Sequence, residues 1–191
     1  MNFEKNSEIS NEKETLMQKF FQEKTSEGED DVVWISLDQL RELKEKGIRT
    51  EDFLEYLVEK QGLLLHGSIN QIPGNRLRSD RNILFASDKA MVSIMRSLYS
   101  NIDVDLGYPY IINEDNPFKL VIHTAPDGKF ICQDRGYVYA VKKEGFKNYP
   151  EGSWQYTKET DEAEFEVVIE TEKVDFNYPV EIRKDLKEIE R

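Results

Sequence analysis

The chain has 191 residues, of which 38% are hydrophobic, and this is long enough for one domain with a sizeable core. Its formal net charge of −12 argues against a surface for nucleic acid or for an anionic membrane, since both favour basic patches. A single cysteine, Cys132, excludes an internal disulfide, and no apolar run or signal-peptide pattern suits a membrane, so we expect a cytoplasmic protein.

The N-terminal segment, residues 1–31, is rich in Glu, Lys, Asn, Ser and Gln and ends in a cluster of acidic side chains. Such a composition does not bury enough apolar surface to offset the entropy of ordering, so we expect an acidic, mobile segment. Leu16, Met17, Phe20 and Phe21 fall at helical spacing, which predicts one short amphipathic helix inside it.

Residues 32–61 predict a segment of two helices. Ser36 followed by Gln39 matches a capping box at the start of the first helix. Thr50 is the expected N-cap of the second helix, which carries apolar residues on one face and ends near Gly62.

The rest of the chain, residues 62–191, predicts many strands and one further helix. Residues 63–65 and the stretch "ILFAS" are typical of short strands, and Ser87 or Asp88 is expected to cap a helix over "KAMVSIMRSLYSN". Six more strand candidates follow: "YPYIIN", "FKLVIHT", "GKFICQ", "GYVYAV", "EFEVVIET" and "YPVEI". Helices followed by a run of strands indicate an α+β fold.

The order of "LLLHGS", a loop and "ILFASDKAMVSIM" resembles the ADP-ribosyltransferase-like superfamily, in a branch of small uncharacterised bacterial proteins. In that family a first strand ends in His-Gly-Ser or His-Gly-Thr, a second strand carries Phe-Ala, and its helix covers the nicotinamide pocket. The later "GYVYAV", "GSWQYTKE" and "DFNYPVEI" extend the resemblance over about residues 62–182. It implies a split antiparallel sheet over residues 62–191, preceded by the N-terminal helices.

The resemblance implies that the protein binds NAD, as a substrate, through His66, Gly67, Ser68, Arg76, Phe85 and Ser87. A neutral imidazole donates one hydrogen bond and accepts another, so His66 suits a ribose hydroxyl. Gly67 has no Cβ and lets a carboxamide approach the backbone. Arg76, with Arg78 and Arg81 as alternatives, would bind the pyrophosphate through its forked guanidinium.

The family's catalytic glutamate stands at the start of a late strand, where its carboxylate stabilises the positive charge that develops as nicotinamide leaves. Glu159 is the candidate in this chain, with Glu162 and Glu164 as alternatives, and His66 would hold the ribose beside it. The position of the family's second stacking aromatic is occupied by Met95. The activity implied is transfer of ADP-ribose to an acceptor such as a protein, or a related reaction on a nicotinamide or phosphoribosyl substrate.

Other interpretations stand beside this one. A strand-end histidine is commonly a structural residue, Phe85 alone would be assigned to the core, and His123 is typical of an ordinary strand residue. No His or Cys lies at metal-ligand spacing, so we expect no metal site. A second hypothesis is a non-catalytic interaction module with a vestigial nucleotide pocket, whose acidic N-terminal half docks a basic protein. The two hypotheses differ in whether a carboxylate from residues 159–164 faces His66 across one pocket.

Overall fold

The structure is a computed structural model that describes residues 10–27, 31–79, 82–101, 110–113, 119–123 and 130–183. Its helices are α1 (Asn11–Glu27), α2 (Leu37–Glu45), α3 (Thr50–Gln61) and α4 (Ala90–Leu98). Its strands are β1 (Val33–Ile35), β2 (Leu63–Ser68), β3 (Arg76–Arg78), β4 (Leu84–Ser87), β5 (Tyr99–Asn101), β6 (Tyr110–Asn113), β7 (Lys119–His123), β8 (Phe130–Cys132), β9 (Arg135–Lys142), β10 (Lys147–Asn148), β11 (Gln155–Lys158), β12 (Glu162–Glu172) and β13 (Val180–Arg183). None of the helices described is long and apolar enough to cross a bilayer.

The main sheet has the strand order β1-β12-β9-β2-β4-β11-β10, and β3 pairs with the first part of β12. Two smaller sheets have the orders β13-β7-β6 and β5-β8. Most neighbouring strands are antiparallel, but β1 runs parallel to β12 and β13 runs parallel to β7. The α+β prediction is therefore confirmed. The antiparallel arrangement expected over residues 62–191 is wrong at the β13–β7 pair, while β1 lies outside that range.

Both faces of the main sheet are buried, and alternate residues of β2 enter different clusters. Leu63 and Leu65 pack with Val138 and the helices on one face. Leu64 packs with Tyr139 on the other face. A strand that is buried on both faces is a continuous apolar run rather than an alternating one, which explains the three consecutive leucines.

The predicted N-terminal cap is found in α2 but not in α3. Ser36 and Gln39 form the predicted capping box, in which the Gln39 side chain accepts from the Ser36 amide at 2.8 Å. The prediction that Thr50 caps α3 is wrong, because Thr50 is already helical and Arg49 is the N-cap. The Arg49 amide donates to the Asp52 carboxylate at 3.0 Å.

The N-cap of α4 is Lys89 and not Ser87 or Asp88 as expected. The first amide of the helix, that of Ala90, donates to a carboxylate oxygen of Glu55 on α3 at 3.0 Å. Burial raises the pKa of Glu55, and the bond to the helix amide opposes this shift. A side chain from another helix therefore accepts the hydrogen bond that a local N-cap residue would otherwise accept.

Residues 11–27 of the N-terminal segment form a longer and better packed helix than their composition suggests. α1 spans 17 residues, Met17 is fully buried, and the Phe20 ring lies edge-on to Phe53 with 5.5 Å between centroids. The expectation of only a short, poorly packed helix is therefore wrong for residues 11–27, whereas residues 1–9 and 28–30 lie outside the described residues. Two or three large apolar side chains on one face are enough to dock this polar helix.

Phe20→Ala is expected to lower the free energy of unfolding by about 3 kcal/mol, because it removes a buried aromatic and leaves a cavity. Lys19→Ala, at an exposed position of the same helix, is the matched control and is expected to change stability by less than about 0.5 kcal/mol. Urea unfolding of both variants checks this. Equal stabilities would mean that α1 does not pack on α3.

Candidate functional site

A pocket opens where β2 and β4 separate. The two strands pair at Leu65 and Ser87. Beyond that pair, the Phe85 carbonyl accepts a hydrogen bond from Nδ1 of His66 at 2.7 Å. A cavity of about 280 Å³ lies there, and the described residues that line it are Leu65, His66, Gly67, Phe85, Ala86, Ser87, Val92, Ser93, Arg96, Trp154 and Gln155.

Four residues that the sequence singled out line this one pocket: His66, Gly67, Phe85 and Ser87. His66 and Phe85 are 19 residues apart in the chain and come together because β4 folds back beside β2. The expectation that the two strand ends border a common cavity is confirmed.

Ser68 and Arg76 are not among the residues that line the pocket. The Ser68 hydroxyl accepts from the amide of Asn70 at 3.2 Å and so belongs to the turn after β2. The Arg76 guanidinium donates to Glu162 at 2.8 Å and to Glu164 at 2.9 Å, across the β3–β12 pair. These three charged side chains are engaged with one another, whereas Arg81 lies outside the described residues.

Glu159 lies beyond the far end of β11 from the pocket. Because β11 is antiparallel to β4, Gln155 pairs with Ser87 at the pocket and Lys158 pairs with Leu84 at the other end. Four residues of extended chain span about 13 Å, and Glu159 lines a separate cavity. The structure therefore places none of the three candidate carboxylates of residues 159–164 against His66.

Seven further described residues line the pocket, and three of them, Arg96, Trp154 and Gln155, carry large polar or aromatic side chains that sequence reasoning did not select. Gln155 is the first residue of β11 and pairs with Ser87 of β4. Which residue of β11 reaches the pocket depends on its register with β4, and no local pattern encodes that register.

His66 is held in its neutral form. Burial of the ring lowers the pKa of His66, the positive charge of Arg96 acts in the same direction, and the bond to Phe85 opposes them. Since a carbonyl oxygen only accepts hydrogen bonds, Nδ1 must carry the proton of the neutral ring. The Nε2 atom then has the lone pair and is the acceptor that a ligand hydroxyl would use.

The lowered pKa of His66 predicts the pH dependence of stability. Below about pH 6.5 the unfolded chain binds the imidazole proton more readily than the folded protein, so stability falls as the pH decreases. An NMR titration of the two imidazoles checks this, with His66→Gln identifying the His66 signal. A midpoint at or above 6.5 for His66 would contradict the lowered pKa and the neutral ring.

Gly67 allows the close packing of α4 on β2. A Cβ on Gly67 would lie 2.1 Å from the carbonyl oxygen of Ser93 on α4. A Cβ on Gly136 of β9 would lie 1.8 Å from the carbonyl oxygen of Ser97, one turn further along the helix. The Ser93 hydroxyl also donates to the Leu65 carbonyl at 3.2 Å. The two glycines let α4 lie directly on β2 and β9, a packing role that was not predicted for Gly67 from the sequence.

Phe85 is half exposed, at 50% of its surface, so its assignment to the core is wrong. Its neighbours Leu84 and Ala86 are buried on the opposite face of β4. Ser87 is buried, and its hydroxyl accepts from the Lys89 amide at 3.0 Å. Met95 is buried in the core cluster and is not among the described residues that line the pocket. Phe85 is thus a half-exposed aromatic side chain of the pocket wall, to which Trp154 also contributes.

No protein-family model, no curated protein and no solved structure gives a match to this chain. Within the described residues, no group of three or more His, Cys, Asp or Glu side chains is placed to hold a metal ion. The residues that line the pocket are therefore the features of this chain that bear on its function.

Proposed function

We propose that the protein binds NAD through its nicotinamide-ribose half in this pocket, on an ADP-ribosyltransferase-like fold, and does not transfer ADP-ribose. The observation that carries the proposal is the convergence of His66, Gly67, Phe85 and Ser87 on one cavity. The adjacency of β2, β4 and β11 in the main sheet also supports it, because these strands hold the first, second and late motifs of the resemblance.

The pocket offers a matching group for each part of a nicotinamide riboside. The exposed Phe85 ring is a flat surface on which an aromatic ring stacks. The Nε2 atom of His66 accepts from a ribose hydroxyl. The side-chain amide of Gln155 has both a donor and an acceptor, so it complements the donor and acceptor of a carboxamide.

The same residues favour binding over cleavage. Loss of nicotinamide leaves positive charge on the ribose, and a nearby carboxylate is the group that stabilises it. Among the described residues that line the pocket, none is Asp or Glu, and Gln155 carries a neutral amide. Arg96 adds positive charge, which disfavours a cationic transition state. A protein of this kind needs no acceptor for ADP-ribose.

Isothermal titration calorimetry with NAD tests the proposal, and chromatography of the same samples measures nicotinamide release. The expected result is saturable binding at one site with NAD intact after prolonged incubation. Absence of binding at millimolar NAD would refute the proposal as a whole. Protein-dependent release of nicotinamide would instead show that the protein cleaves NAD, which would contradict the non-catalytic proposal and favour the transferase hypothesis.

A further inference from the structure

The size of the pocket limits how much of a ligand it encloses. Its volume of about 280 Å³ is at the lower limit of the roughly 300–1,000 Å³ that small-molecule sites usually occupy. A base and its ribose fill such a space, and a dinucleotide exceeds it. The remainder of a larger ligand would lie outside the walls formed by β2, β4 and α4.

The described residues that line the pocket carry one positive charge, which is enough for one phosphate group. Arg96 is the one charged residue among the described residues that line it. It lies on α4, one turn beyond Ser93, and it is exposed. A forked guanidinium binds a single phosphate with two parallel hydrogen bonds.

Two arginines of the β2–β4 connection lie within the described residues, and both form ion pairs with carboxylates of β12. Arg76 bonds to Glu162 and Glu164, and Arg78 lies 3.2 Å from Glu162. Arg76 lines a different cavity, together with Lys142. The described side chains therefore supply one arginine to the pocket, which suits one phosphate better than a pyrophosphate.

We infer that the pocket recognises a pyridine mononucleotide, made of nicotinamide, ribose and one phosphate, and that the adenosine half of NAD contributes little to affinity. The inference rests on the proposed function and makes it specific. Arg96 is the phosphate-binding residue, His66 holds the ribose and Phe85 stacks on the base.

Calorimetry with four ligands tests this inference: nicotinamide mononucleotide, nicotinamide riboside, NAD and AMP. For the unmodified protein, the mononucleotide and NAD are expected to bind within about threefold of each other, and the riboside at least tenfold more weakly. Arg96→Gln should weaken mononucleotide binding to about the level of the riboside and should not weaken riboside binding, since the riboside has no phosphate and carries a positive charge. Arg41→Gln, at an exposed arginine of α2, is the matched control and should change neither affinity.

The outcomes separate the inference from the proposed function. NAD binding more than tenfold tighter than the mononucleotide would overturn the inference while leaving NAD binding intact. AMP binding tighter than the mononucleotide would also overturn it, since Gln155 would then pair with adenine. If Arg96→Gln weakens riboside and mononucleotide equally, Arg96 does not bind the phosphate and the inference fails. Absence of binding by all four ligands would refute the proposed function itself.

Discussion

Gly136→Ala is expected to lower the free energy of unfolding by about 3 kcal/mol or more, at the upper end of the cost of overpacking. The added methyl group would lie 1.8 Å from the backbone carbonyl oxygen of Ser97. A flexible side chain could rotate away, but this oxygen moves only if α4 moves off the sheet. Because α4 forms one wall of the pocket, the same change should also distort the pocket. Urea unfolding measures the loss.

Gly152→Ala is the matched control for this prediction. Gly152 has a φ of +80° but open space where a Cβ would lie, so alanine there brings backbone strain without a clash. The expected cost is about 1 kcal/mol. Gly67→Ala, with a 2.1 Å approach to Ser93, should resemble Gly136→Ala. If Gly136→Ala were no more destabilising than Gly152→Ala, this result would contradict the close packing of α4 on β9.

Phe85→Ala is expected to weaken NAD binding tenfold to a hundredfold while the melting temperature stays nearly unchanged. Removing a stacking partner costs about 1–3 kcal/mol per base, and a tenfold change in affinity corresponds to about 1.4 kcal/mol. Stability should change little because half of the side chain is already exposed. Calorimetry and thermal unfolding on one preparation measure both effects.

Ile83→Ala provides the control for Phe85→Ala. Ile83 precedes β4, is 39% exposed, and lines the separate cavity that contains Glu159. Its loss should leave NAD affinity unchanged. A large fall in stability of Phe85→Ala with unchanged affinity would show that Phe85 has a structural role.

The sequence predicted the part of the site that is encoded within short segments. His66 and Gly67 end one apolar run, and Phe85 and Ser87 belong to another, so strand boundaries alone place them at strand ends. Their proximity then requires only that β4 folds back beside β2, which the resemblance implied. The α+β class was predictable for the same reason, since helix and strand periods are local.

Residues that depend on long-range register could not be found in this way. Gln155 reaches the pocket because it pairs with Ser87, and the same strand shifted by one residue would present its neighbour instead. Glu55 caps α4 across a gap of 35 residues, so no motif near α4 reveals it. The burial of Met17 likewise depends on a surface formed by other segments, and composition alone suggested a mobile segment.

The central claim is that the cavity between β2, β4 and α4 is the nucleotide site, and an amide NMR titration with nicotinamide mononucleotide tests it most directly. The largest shift changes are expected in three segments, residues 65–67, 85–87 and 92–96, and at the start of β11. Saturation should follow the same dissociation constant at each of them. Changes centred instead on Arg76 and Lys142, or no changes at millimolar ligand, would contradict the claim.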